Sequence, residues 1–265
     1  MALNLDTGSL LEGLETTHRQ VGRLLADLPT AGWALQVPAT PGWSVGDLVS
    51  HLADGDVAAL VALRGQDPFD PESWTGLDGL DDWTAAQVAA HTGERSEERL
   101  AAWEAASDKL RDAFAGLDAT GWRARVLFVS GPVSARTLAQ LRLQEEWLHG
   151  HDIAEAAKAS FPIDPVTLAW MADLAARVIA PNLSRYRQAK PGAVILLRLD
   201  GLGEWLLGGA AGERPSAGAT PDLVLEAEPL PFILRAAGRR EDVPWQAQGD
   251  EALAAAVAAT IISVG

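Results

Sequence analysis

Five histidines, no cysteine and a run of ionisable residues on the apolar side of one helix define the chemistry open to this chain. Take Leu138 as the origin of a helical wheel that advances about 100° per residue. Leu138, Leu141, Leu148, Ile153 and Ala156 then share a face, Glu145, His149 and Asp152 fall inside it, and Arg142 falls near its edge. Buried ionisable groups are costly unless they are paired or coordinate a metal, so their place on the core side calls for a cause. Glu145 and His149 are one turn apart on the same side, so a carboxylate oxygen and an imidazole nitrogen can reach one ion. Glu146 and His151 lie about 100° and 120° to either side of Glu145 and are set aside as ligands. Asp152 is placed to accept a hydrogen bond from a ligand and orient it.

Without cysteine there is no disulfide, no thiolate ligand and no cysteine nucleophile, and thiol chemistry would need a thiol from another molecule. A zinc site would have to use imidazole and carboxylate alone. The third ligand must come from another element, and His51 stands on the flank of the apolar face made by Val45, Leu48 and Leu52. A second reading stays open at this point: His51 as a satisfied core histidine, and Glu145 and His149 as an ordinary intrahelical pair. His18 and His91 read as surface residues, and the ten tryptophans as core and interface anchors rather than a cofactor cage.

The elements that must position these residues can be read along the chain. Leu10, Leu11, Leu14, Val21, Leu24 and Leu25 recur at helical spacing and predict a helix from about Ser9 to Leu28. Pro38 to Trp43 breaks the pattern, and Ser44 to Asp47 is a variant capping box that opens a second helix carrying His51. After a loop from Gly65 to Asp82, one helix is expected from Thr84 to Leu117, with a weak point at Thr92-Gly93. Trp122 to Val133 reads as a connector, and Ser134 caps a fourth helix that runs to about Lys158. Four helices suggest a bundle.

Beyond Pro162-Ile-Asp-Pro165 the pattern changes. A helix from Val166 to about Tyr186 is followed by strand candidates at Gly192–Leu199, Glu204–Leu207 and Leu223–Glu226. Further helices are expected at Leu230–Ala237 and Glu251–Ile262. The expected fold class is α+β: a four-helix bundle over residues 1–160, then a small α+β domain over 161–265, with the boundary between Ala159 and Asp164.

Composition narrows the partners. The 265 residues carry 21 Lys and Arg against 36 Asp and Glu, a formal charge of −15, with no basic cluster. Nucleic acid and anionic membranes both require clustered cations, so neither is an expected partner. No signal peptide or membrane-length apolar run is visible, so the expected location is cytoplasmic.

Two separated motifs carry a resemblance. Pro41-Gly-Trp-Ser-Val-Gly-Asp-Leu-Val-Ser-His51-Leu-Ala resembles the start of the second helix in the DinB-like metal-binding superfamily, and more closely the mycothiol-dependent maleylpyruvate isomerase family. Glu145-Glu-Trp-Leu-His149-Gly-His-Asp152-Ile-Ala resembles that family's Glu-x-Trp-x-His-Gly-x-Asp signature. The resemblance implies a DinB-like four-helix metal-binding domain with zinc on His51, Glu145 and His149, and a sterol-carrier-like second domain. It implies mycothiol as thiol cosubstrate, and a small electrophile or cis-unsaturated acid as substrate of an isomerase or S-transferase. Family members carry a functional arginine in the second domain, and around the Ala236-Ala-Gly-Arg239-Arg240 segment the match stays open among Arg235, Arg239 and Arg240, with Arg239 taken as the candidate substrate-anion contact. The reading from another class is a metal- or small-ligand-binding module without turnover.

Overall fold

The computed structural model describes residues 5–69, 79–129, 131–185, 192–209, 214–216 and 218–260. Two compact units emerge: one from Asp6 to Thr167, the other formed mainly by the chain from Leu168 onward. The architecture is a mixed α+β one, with eight helices and two small sheets among the described residues.

In the first unit Asp6 caps helix α1 (Thr7–Asp27) through a reciprocal box with Ser9. Helix α2 (Val45–Leu63) opens on the box read from the sequence: the Ser44 side chain accepts the Asp47 amide, and the Asp47 carboxylate accepts the Ser44 amide. Where one long helix was expected there are two, α3 (Leu80–Ala90) and α4 (Ser96–Ala115). The cause lies at the weak point. Gly93 adopts φ of 89°, a left-handed conformation that glycine takes without strain and that ends a helix. The chain then restarts with the Glu98 carboxylate accepting the Arg95 amide at 2.9 Å.

The expected connector contains an antiparallel hairpin of β1 (Arg125–Phe128) and β2 (Gly131–Ser134), in which Val126 faces Val133. That one β-branched pair is the kind of cross-strand contact that stabilises a hairpin. Ser134 then caps α5 (Ala135–Ala157), accepting the Thr137 amide at 3.1 Å.

The four long helices pack as α1–α5, α1–α4, α2–α4 and α2–α5. Val21, Leu25, Leu48, Leu52, Trp103 and Ile153 meet in one buried cluster. Full burial of such side chains stabilises by about 1.5–3 kcal/mol each. One close approach requires glycine: a Cβ on Gly150 would lie 2.5 Å from Phe161 and 2.9 Å from Val21.

The second unit contains most of α6 (Pro165–Arg185) and a four-stranded sheet made from β3 (Val194–Leu199), β4 (Gly203–Gly208), β5 (Leu223–Ala227) and β6 (Trp245–Gly249). The spatial order is β4-β3-β5-β6, with β3 parallel to β5 and both outer pairs antiparallel. Alternate residues Ile195, Leu197 and Leu199 of β3, and Leu223, Leu225 and Ala227 of β5, are buried. Helices α7 (Pro229–Ala236) and α8 (Glu251–Thr260) complete the unit and bury Phe232, Ile233, Leu253 and Val257. Strand β6 was not anticipated: at the sheet edge it buries Trp245 alone among its residues, and Trp245 and Ala247 are too few apolar positions to mark a strand. The expected helix ends at Tyr186 and Ile262 lie outside the described residues. No helix among the described residues is long and apolar enough to cross a membrane.

Candidate metal centre

Helices α2 and α5 bring together the three residues singled out as ligands. One donor atom from each of His51, Glu145 and His149 lies within 4.8 Å of the others. His51 Nε2 is 3.4 Å and His149 Nε2 is 3.5 Å from the same oxygen, Glu145 Oε2. His149 is buried, and its Nε2 has no hydrogen-bond partner, the Glu145 contact being at ion-pair distance only. Its other nitrogen, Nδ1, meets Asp152 Oδ2 at 3.1 Å.

A carboxylate on Nδ1 orients the imidazole so that the opposite nitrogen could meet a cation, the arrangement common to metal-binding histidines. An orphaned buried nitrogen, a second imidazole and a carboxylate directed at one point are a donor set that fits a divalent ion of the zinc type. His51 and Glu145 keep partial exposure on their side chains, so the cluster has an approach from outside. The Trp43 ring, centred 5.3 Å from that of His51, forms part of its wall.

Electrostatics agree with the geometry. Burial opposes ionisation of Glu145, yet the two imidazoles, His149 first, hold its pKa well below the ordinary carboxyl value. His149 is likewise penalised by burial, but the Asp152 and Glu145 carboxylates outweigh it and raise its pKa. His51 goes the other way: burial dominates, Glu145 does not offset it, and the His149 and Arg142 charges add to the depression. The two imidazoles thus shift in opposite directions, His149 upward beside its two carboxylates and His51 downward under burial.

The other residues singled out in the sequence fall in several places. His18 is not a surface residue; its ring packs at 4.4 Å on buried Trp103, and Nδ1 meets Glu146 at 3.1 Å. His91 ends α3 with one ring nitrogen on Glu94 at 2.9 Å and the other on Asp54 at 3.1 Å. Glu146 points away from the three ligands, as the wheel predicts, yet it is buried too, because α5 is enclosed on more than one side. Trp103, Trp147 and Trp170 are core residues. Arg239 belongs to the second unit, just past α7, where Nη1 donates to the Ala237 carbonyl at 2.7 Å.

Reading the sequence missed a buried ion pair between Arg142 and Asp56, with Nε 2.9 Å from Oδ1. The signal was present: two turns after Leu48, Asp56 continues the apolar stripe of α2.

A helical bundle that collects two imidazoles and a carboxylate in its interior is a candidate metal-binding protein. The profile of the mycothiol maleylpyruvate isomerase N-terminal domain family matches residues 14–154, just over half of the chain, and the chain belongs to that family. It is 30% identical over 155 residues to uncharacterized proteins of Mycobacterium tuberculosis strains CDC 1551 / Oshkosh and ATCC 25618 / H37Rv. That match covers 57% of this chain and 57% of the length of each relative. Among solved structures, the crystal structure of the mycothiol-dependent maleylpyruvate isomerase superposes with a TM-score of 0.63 at 18% identity, covering 92% of this chain and 93% of that one. A histidine-to-alanine mutant of the same enzyme gives 0.63 at 17% identity, with the same coverage. At such identities the likeness establishes a common fold.

Proposed function

We propose that this protein is a zinc-dependent enzyme that uses a low-molecular-weight thiol, mycothiol, as an isomerase or S-transferase acting on a small electrophile or cis-unsaturated acid. The observation that carries the reading is the convergence of His51 Nε2, Glu145 Oε2 and His149 Nε2 within 4.8 Å. Three protein ligands on a tetrahedral ion leave one position for a reactant, the pattern of catalytic rather than closed structural sites.

The chemistry that a bound zinc ion supplies here is Lewis acidity, which lowers the pKa of a thiol beside it and favours the thiolate near neutral pH. The chain's own residues prepare for that. Asp152 fixes the His149 ring, Glu145 contributes the negative charge of the donor set, and burial keeps His51 neutral and so able to donate its lone pair. Since the chain has no cysteine, the nucleophile belongs to a separate molecule.

In the isomerase reading the thiolate sulfur adds to an activated cis double bond, rotation follows about the resulting single bond, and elimination returns the thiolate and the trans product. In the transferase reading it forms a carbon–sulfur bond that is kept, either displacing a leaving group that departs with its bonding pair or adding to an activated alkene whose carbanion takes a proton from water. Arg239 is assigned the substrate anion on the strength of the resemblance around Ala236–Arg240. The proposal places the metal-binding domain at 1–160, the second domain at 161–265, and the enzyme in the cytoplasm.

The test is turnover of maleylpyruvate and of model electrophiles, with and without mycothiol. Thiol-dependent turnover, with KM raised in Arg239→Ala, is expected. Thiol-independent turnover would contradict the role given to mycothiol, and no turnover with any thiol would favour the metal-binding module without catalysis.

A further inference from the structure

A buried polar knot lies beside the three ligands and is not part of the donor set. Asp56 lies on α2, five residues after His51, and Arg142 lies on α5, three residues before Glu145. Arg142 Nε donates to Asp56 Oδ1 at 2.9 Å, and Nη2 donates to the carbonyl of Leu52, the residue that follows His51, at 3.3 Å. The second Asp56 oxygen accepts from Ser107 Oγ of α4 at 2.8 Å. The pair is almost wholly enclosed, with side-chain exposures of 4% and 6%. Gly55 gives the guanidinium its place: a Cβ there would lie 2.5 Å from Arg142 Nη1.

Taking this reading of the metal centre as given, we propose that Arg142 and Asp56 are positioning residues, which pin α2 against α5 so that His51 meets Glu145 and His149 at coordinating distance. Zinc tolerates only about 0.2 Å of error in its ligand distances. His51 comes from one helix and the other two ligands from another, so a slide of α2 along α5 separates the donors. Apolar packing alone resists such a slide weakly, because cores lose uniqueness before they lose stability. A guanidinium fork is directional: two bonds of fixed geometry, to Asp56 and to the backbone beside His51, hold one registration. The contact to Ser107 ties the same carboxylate to a third helix.

The test uses the full-length protein and two probes, Zn(II) affinity by chelator competition and the Co(II) absorption spectrum. The double variant Arg142→Met with Asp56→Asn removes both charges and leaves neither unpaired. It is expected to stay folded by circular dichroism, to bind Zn(II) about 10- to 100-fold more weakly, and to show altered Co(II) bands. Arg142→Lys, with one ammonium in place of the fork, should recover only part of the affinity. Phe114→Leu, a core change on α4, should lower the melting temperature and leave both metal readouts unchanged.

Wild-type affinity and spectrum in the double variant would overturn the proposal, as would an equal loss in Phe114→Leu. If the double variant does not fold, Arg142→Lys and Ser107→Ala are judged by the same criterion. Failure of the wild-type protein to bind either metal would instead overturn the metal reading itself.

Discussion

His149 presents Nδ1 to Asp152 Oδ2 at 3.1 Å, and the Asp152 side chain has no exposed surface. The contact leaves Nε2 as the nitrogen facing Glu145 and His51. Replacing Asp152 by Asn keeps the shape and removes the charge that fixes the ring. Metal affinity, measured by chelator competition, should fall about 10- to 100-fold in Asp152→Asn while the helical circular dichroism is retained. Unchanged affinity would mean that the ring is held by packing alone.

A second histidine gives a pH-dependent stability. Burial opposes protonation of His91, but Glu94 and Asp54 outweigh it and raise its pKa above the ordinary imidazole value. A group whose pKa is raised on folding contributes its full stability below the unfolded value, and that contribution is lost as pH rises through the folded one. His91→Gln should therefore lower the melting temperature by about 1–3 °C near pH 5.5, with the gap to wild type closing toward pH 8. A gap that widens with pH would contradict the ion pair.

Close packing of α5 gives a third expectation. A Cβ on Gly150 would meet Phe161 at 2.5 Å and Val21 at 2.9 Å. Gly150→Ala should destabilise the protein by about 1–3 kcal/mol in urea unfolding despite the better helix propensity of alanine. A stability gain would show that Phe161 moves aside freely.

The end of the same helix predicts the opposite sign. Lys158 caps α5 with φ of 56°, a left-handed conformation that costs an ordinary residue about 1–2 kcal/mol. Glycine takes it without strain and is preferred at such positions. Lys158→Gly should be stabilising by about 0.5–1 kcal/mol in the same unfolding experiment.

The candidate ligands stood out in the sequence because their chemistry conflicts with their surroundings. Glu145 and His149 stand in an apolar stripe, and a helix wheel separates them from Glu146 and His151. His51 was less legible: its partners lie on another helix, and only the resemblance named them together. Long helices with clear caps, such as α2 behind Ser44 and α5 behind Ser134, were readable from local signals. The break between α3 and α4 was visible only as a weak glycine, since the charged residues on both sides keep helical periodicity. The β1–β2 hairpin and β6, at four or five residues per strand, are too short for a pattern to stand out. His18 misleads for a physical reason: its flanks are polar, and its burial comes from Trp103 and Glu146, distant in sequence.

The claim on which the account depends is that His51, Glu145 and His149 hold a metal ion. Elemental analysis of the protein purified without added metal tests it most directly. The account predicts about one zinc-like ion per chain, as for a single three-ligand site, with the ion lost in His149→Ala. An ion retained unchanged by His149→Ala, or wild-type protein that takes up no zinc when it is supplied, would contradict it.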